Sequence, residues 1–446
     1  MTRQPRSLSS TPLRTFLLLG MLHIIAIFGV ISNVGVTTQH ANANVNAADS
    51  LVWNIVIGAW LFSGLAILVY MAREKVYDTR YWRWTTYALS LLTTVGLIHV
   101  TWVVGSENLF TDVMLFVRYS ADLFIQGTNP YTVSMGPASD IYQSINEVPA
   151  VTKHVDGSLV TTFSYPALSF LAFVPQRLAE IPNVSLTVMI VFSLLFLFLA
   201  RETPHWMFPG VAVALLFNQY VFSNAYFGNI DPLWILPLAL GMHYWYHGRL
   251  PIAAFIVGIA FAAKQIPWFI GPFVAIWLWK DPAYFNRSRW NAIGISLTSG
   301  IAGFLLPNLY FIFDAPSEWL LDVFSPVGSR LPFQTRGTGL AVLVHSGAFD
   351  IPKIGFKLLL IIVVLLSMTV YYLYFEQMKW AAWVLPCMIF FFNDRSLFNY
   401  FVTFIPLAYY AILLNRNLVP DRPLLSKRSL TTKVKRLART SAETNQ

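Results

Sequence analysis

Residues 356–375 read FKLLLIIVVLLSMTVYYLYF, with Lys357 the one charged side chain in the run. A stretch of about 20 apolar residues matches the hydrocarbon thickness of a bilayer when it is helical. Working outward, comparable runs recur at 13–32, 51–72, 84–105, 184–200, 207–222, 232–246, 251–264, 268–280, 291–313, 380–392 and 397–414. They predict an all-α polytopic transmembrane bundle of about twelve crossings, or thirteen if residues 163–177 also cross. The composition agrees. Of the 446 residues 56% are hydrophobic and only 11% charged, where a soluble domain carries about 25% charged residues. A solution enzyme, a coiled coil and a disordered scaffold are excluded.

Lys and Arg number 30 against 21 Asp and Glu, but the excess sits at the termini and in short loops. That distribution follows the positive-inside rule and does not point to nucleic acid. Arg3, Arg6 and Arg14 precede the first run, which has no small-residue cleavage site and reads as an uncleaved span. Arg73, Lys75, Arg80 and Arg83 follow the second, and Lys427 to Arg439 crowd the tail. Both termini are therefore expected in the cytoplasm. The chain divides into three N-terminal spans (1–105), a first extracytoplasmic loop (106–183), a transmembrane core (184–414) with a second outer loop at 314–355, and a basic, disordered tail (415–446). The apolar segment 163–177, FSYPALSFLAFVPQR, is short and interrupted by Pro166 and Pro175. It is expected to dip into the outer leaflet without crossing. The single Cys387 excludes an internal disulfide and a cysteine metal site.

Chemistry concentrates in the outer segments. In FTDVMLFVRYSADLFIQGTNPYT, Asp112 follows the third span closely, where partial desolvation keeps a carboxylate basic, so it is the candidate general base. A solvated helix end is the plainer reading of the same position. Asp122, ten residues on, faces another side of a helix and reads as more structural than catalytic. In YFGNIDPLW, Asn229 and Asp231 open a span, and Lys264 stands in an apolar run before the Pro-broken KQIP turn. An intramembrane lysine calls for an anionic partner such as a substrate phosphate; a pair with Asp231, or snorkelling to the outer head groups, is the plainer reading. The second outer loop supplies Arg330, Arg336 and His345, and two arginines beside glycine-rich backbone suit a phosphate or diphosphate. Asp394 and Arg395 close a late span and could pair with each other. Tyr131 and Tyr165 are candidates for stacking on sugar or isoprenoid. The first outer loop has no DxD pair, so no metal cofactor is expected.

In order, TDVMLFVRYSADLFIQGTNPYT, FSYPALSFLAFVP, FGNIDPLWILPL with GRLPIAAFIVGIAFAAKQIP, RGTGLAVL and RSLFNYF resemble the GT-C class of polytopic glycosyltransferases, most closely the family 87 (GT87 or DUF2029-type) mannosyltransferases. The resemblance implies a sugar, mannose favoured, carried on a polyprenyl phosphate, and a glycolipid, polysaccharide or protein acceptor on the extracytoplasmic face of the cell membrane. It also implies an Asp base in the first large outer loop, which Asp112 matches. The chain departs from the family at Tyr165-Pro166-Ala167, where Tyr-Pro-Pro is common, and at Gly228-Asn229, where a Gly-Gln motif is usual. The expected chemistry is an inverting transfer with Asp112 as base, and with Lys264, Arg330, Arg336 and Arg395 on the donor phosphate. Asp122, Tyr131, Tyr165, Asn229, Asp231 and His345 complete the substrate side. A transporter or lipid-linked sugar flippase is the rival; it requires polar residues through the membrane depth and two related halves, and no internal repeat is visible.

Overall fold

The computed structural model describes residues 111–142, 152–203, 229–327, 339–345, 351–395 and 397–415, apart from Val155, Pro182, Val184 and Phe398, with single positions at 88–98 and 211–225. The spans expected at 13–32, 51–72, 84–105 and 207–222 and the tail beyond residue 415 lie outside this set, save those single positions. Among the described residues every regular element is helical, and the one β-bridge joins Lys153 to Leu159.

The first described helix, α1 (Asp112–Ile125), begins where Thr111 caps it, its side chain accepting from Met114 N at 3.2 Å. Gly127, at φ 79°, ends it, and Asn129 then accepts from Tyr131 N to start the turn Pro130–Thr132. The segment expected as the first outer loop thus begins with a helix. Segment 163–177 forms two short helices, Leu168–Leu171 and Val174–Leu178, the second with Pro175 in its first turn. Arg177 anchors that second helix to α1 through a two-pronged pair with Asp122, at 2.6 and 3.2 Å.

The core helices are α2 (Leu186–Glu202), α3 (Pro232–Tyr246), α4 (Leu250–Phe261), α5 (Gly271–Lys280) and α6 (Arg289–Asp314). Proline stands in the first turn of α3, α4 and α5, where its missing N–H costs nothing. α4 packs between α3 and α6. Its crossing with α6 brings backbones into near contact: a Cβ on Gly258 would lie 2.0 Å from the Gly300 carbonyl oxygen, and one on Gly303 2.0 Å from that of Phe255. Only glycine permits this approach.

After α6 come α7 (Pro316–Phe324), α8 (Lys353–Leu373) and α9 (Ile405–Leu414). Among the described residues two helices, α6 and α8, are long and apolar enough to cross a membrane. Their apolar side chains point outward, among them Leu306 and Phe313 on α6 and Ile362 and Leu365 on α8. Such continuous apolar surface requires lipid as solvent, so the chain is a membrane protein. Among the described residues the other apolar runs are shorter or broken. Run 380–392 becomes a 3-10 turn, Lys379–Trp383, and the helix Pro386–Phe390; run 397–414 becomes Asn399–Val402 and α9. Pro386 and Pro406 cause both breaks, since neither can donate to the preceding turn. Residues 314–355, expected as a loop, contain α7 and the helix Leu340–His345, elements too short to show as apolar spans.

Candidate active site

The helices α3 to α6 alternate in direction, so their ends gather at two poles. Asp231 opens α3 at one end, and Tyr284 donates to the Tyr246 carbonyl at the other. Of the sequence-expected site residues, Asn229, Asp231 and Lys264 meet at the Asp231 end.

The centre is an ion pair. Lys264 and Asp231 are 6% and 1% exposed and meet at 2.7 Å. Asp231 also accepts from Trp234 Nε1 at 2.8 Å and from Asn399 Nδ2 at 2.9 Å, while Lys264 reaches Asn229 Oδ1 at 3.3 Å and the Tyr400 ring at 6.0 Å. Lys264 sits in a turn because Ala262 ends α4 and Pro267 cannot continue it, which turns the ammonium back toward the start of α3. Of the two partners the sequence offered for Lys264, the structure supplies Asp231, so its charge is already neutralised.

Above this pair, the segment 163–167 is clamped through its backbone. Tyr131 Oη donates to the Tyr165 carbonyl at 2.7 Å. Gln265 Nε2 donates to the Ser164 carbonyl at 2.6 Å and to the Val323 carbonyl at 2.8 Å, tying α7 to the same segment. Ser325 and Ser164 hydroxyls meet at 3.1 Å, and Asn308 of α6 accepts from Ala167 N at 2.9 Å. Tilted and edge-to-face contacts among Phe124, Tyr131, Phe163, Phe170 and Phe311 hold the segment from below, with Phe170 and Phe311 centroids 5.3 Å apart. The Tyr165 ring packs edge-on to Phe163, centroids 6.0 Å apart. Burial holds its hydroxyl well above the usual phenol range; Asp112, Tyr400 and Asp231 push further in that direction and Arg395 opposes them. Tyr165 is therefore a neutral hydroxyl set among these four groups.

Asp112 stands in the first turn of α1. Its Oδ2 accepts from Thr152 Oγ1 at 2.6 Å and from Thr152 N at 3.2 Å, and its Oδ1 accepts from none of the described residues. Among the described residues, one carboxylate oxygen is held and the other makes no contact, an arrangement compatible with a general base.

The remaining expected residues fall elsewhere. Asp122 is held by Arg177, and Tyr131 acts through the Tyr165 carbonyl. Asp394 takes Lys357 at 3.0 Å as its partner, because α8 brings a lysine beside the loop that Arg395 follows. Arg330 and Arg336 lie outside the described residues, as does the side chain of His345. Among the described residues no three His, Cys, Asp or Glu side chains group for a metal. Sequence reasoning passed over Thr152, Gln265, Asn308, Asn399 and Tyr400. Gln265, Asn399 and Tyr400 stand inside the quoted KQIP and RSLFNYF stretches, so the signal was present there. Thr152 and Asn308 carry no sequence mark.

The model of glycosyltransferase family 87 matches residues 163–396, more than half of the chain. The chain belongs to glycosyltransferase family 87. The matched region of this glycosyltransferase holds the clamp at 163–167, the Asp231–Lys264 pair, and Asp394 with Arg395, while Asp112 precedes it. No curated protein and no solved structure matches the chain.

Proposed function

We propose that this glycosyltransferase moves a sugar, mannose favoured, from a polyprenyl phosphate to an acceptor hydroxyl on a glycolipid, polysaccharide or protein, in a single inverting step. Asp112 takes the acceptor proton as that oxygen bonds to the anomeric carbon, and the bond from the anomeric carbon to the phosphate oxygen breaks. The polyprenyl phosphate leaves as a stable anion, so the protein's task is to meet charge growing on phosphate oxygens. Arg395 and the arginines at 330 and 336 are assigned that task. Lys264, already balanced by Asp231, holds the floor of the site, and the Tyr165 hydroxyl orients the sugar. No metal enters this step, and transfer is expected to persist in a chelator.

The site is placed on the extracytoplasmic face of the cell membrane, in a bundle of about twelve crossings with both termini inside. A lipid-carried donor suits that side, where nucleotide sugars are absent. The observation that carries the reading is Asp112, held by Thr152 through one oxygen and with no contact at the other among the described residues, in the electrostatic neighbourhood of Tyr165.

The test is transfer from radiolabelled polyprenyl-phosphate-mannose in membranes holding the wild type or Asp112→Asn at matched expression. A fall of at least about 100-fold with donor binding retained is the expected result. Equal transfer by the two proteins sinks the assignment of Asp112. A wild type inactive with every polyprenyl-phosphate sugar sinks the donor class.

A further inference from the structure

The two membrane-length helices share one end of the bundle, where α6 starts at Arg289 and α8 finishes at Leu373. The last turn of α5 touches both. Lys280 Nζ lies 4.0 Å over the Tyr372 ring of α8. Arg289 of α6 lies 4.3 Å over the Trp279 ring, and its Nε donates to the Trp279 carbonyl at 3.1 Å. Trp290 follows, 72% exposed, its ring centroid 5.8 Å from that of Trp279. Arg287, in the turn before α6, donates from Nη1 to Asn291 Oδ1 at 3.1 Å.

These contacts orient three exposed cations without neutralising them. Among the described residues Lys280, Arg287 and Arg289 make no ion pair. Of the acids at this end, Asp281 takes Lys379, Glu202 faces His243, and Glu376 pairs with none of the described cations. The two Nη groups of Arg289 and the Lys280 ammonium have no acceptor among the described residues. A guanidinium already held on a ring and through its Nε has little rotamer freedom left to lose, so a forked contact with phosphate costs less. The depth of the patch names the anion. Leu297 and Ile301, both exposed, lie on the same face of α6 as Trp290. Between them Gly294 leaves that face bare, with nothing within 4 Å of where a Cβ would stand. An acyl chain can run from Trp290 over Gly294 to Leu297 and Ile301. Indole rings at such a boundary sit among lipid head groups, and unpaired cations at that depth favour a head group of net negative charge over a zwitterionic one.

We propose that Lys280, Arg287 and Arg289, framed by Trp279 and Trp290, form a binding surface for the head group of an anionic phospholipid, with one acyl chain laid along α6. The surface stands at the end of the bundle opposite Asp231 and Lys264, and it does not depend on the transfer reaction.

The experiment titrates the full chain, in a neutral detergent, with phosphatidylglycerol and with phosphatidylcholine of the same acyl chains, and native mass spectrometry counts the lipid retained. The wild type is expected to hold phosphatidylglycerol at least about fivefold more tightly, and Arg289→Gln to lose about fivefold of that affinity. Arg287→Gln and Arg289→Gln together are expected to abolish the preference. Lys280→Gln, whose side chain touches only an exposed ring, should give a loss like that of Arg289→Gln and serves where the arginine variants do not stay monodisperse. Arg201→Gln, a cation at the same end but outside the patch, is expected to bind as the wild type does. Equal retention of the two lipids by the wild type overturns the proposal, as does an unchanged preference in Lys280→Gln and the double arginine variant. An equal loss in Arg201→Gln shows diffuse surface charge in place of a site. Tighter retention of an isoprenyl monophosphate, with the same dependence on Arg289, gives the surface to another lipid and overturns the phospholipid assignment.

Discussion

The bundle carries a lysine–aspartate pair at each end, and the two are built differently. At the active-site end Lys264 and Asp231 are 6% and 1% exposed, and both oxygens of Asp231 are occupied by Lys264, Trp234 and Asn399. At the other end Lys379 and Asp281 are 20% and 24% exposed. There Lys379 lies over Tyr284 at 4.8 Å and over Trp277 and Phe375 at 5.5 Å each, while Asp281 accepts from Tyr284 N. Nearby Lys280 lies 4.0 Å over Tyr372 and Arg289 4.3 Å over Trp279. Cations against aromatic rings suit the boundary between lipid and water, where the charge keeps some solvent and the rings lie among head groups. A dry pair with both carboxylate oxygens engaged instead fixes the positions of three chain segments. The first arrangement anchors an end in the membrane; the second builds a site.

The sharpest way to break this comparison is to remove the acid from each pair. Asp231→Ala leaves an ammonium buried with only Asn229 and is expected to cost about 3–5 kcal/mol, whereas Asp281→Ala should cost no more than about 1 kcal/mol, since Lys379 keeps its rings and its solvent. Thermal melts of the two purified variants check it, and equal shifts would remove the distinction. Helix contacts sharpen it next. Gly258→Ala forces a methyl against the Gly300 carbonyl and is expected to cost about 1–3 kcal/mol, while Gly271→Ala, with nothing within 4 Å, should be neutral or slightly stabilising. Fluorescence-detected size exclusion after heating compares the two.

The smallest effect concerns pH. Burial, with a lesser push from Glu318, raises the Asp322 carboxyl on α7 to about 7, from 3.8 in the unfolded chain. The folded protein therefore holds this proton more tightly. Its contribution is full below about pH 4, declines as pH rises toward 7 and is gone above it. Asp322→Asn should flatten that part of the stability profile, and a melting curve series from pH 4 to 8 shows whether it does. A slope unchanged in the variant would place its source elsewhere.

Much of the architecture was legible. Apolar runs gave helices, and Pro and Gly gave their ends, because both act through the backbone of their own neighbourhood. The KQIP turn and the interrupted segment 163–177 were read correctly as breaks for this reason. The pairing of charges was not legible. Lys264 admitted two partners, Asp394 was set against its neighbour Arg395, and Asp122 was left without one, though each finds a partner 33 to 55 residues away. Asn399, 168 residues from the Asp231 it serves, and Asn308, 141 from Ala167, could not be distinguished from other polar side chains in apolar runs.

The sequence by itself determined that this chain is helical, lives in lipid and carries the family's motifs in order along its length. Composition and local backbone rules act over a few residues and survive without a fold. Only the tertiary structure decided that Asp231 neutralises Lys264, that Thr152 holds one oxygen of Asp112, and that Lys357 is the partner of Asp394. Those relations depend on which helix ends share a depth and a side of the bundle. Packing sets both, through contacts as specific as the glycine crossing of α4 and α6, and no short stretch of chain contains them.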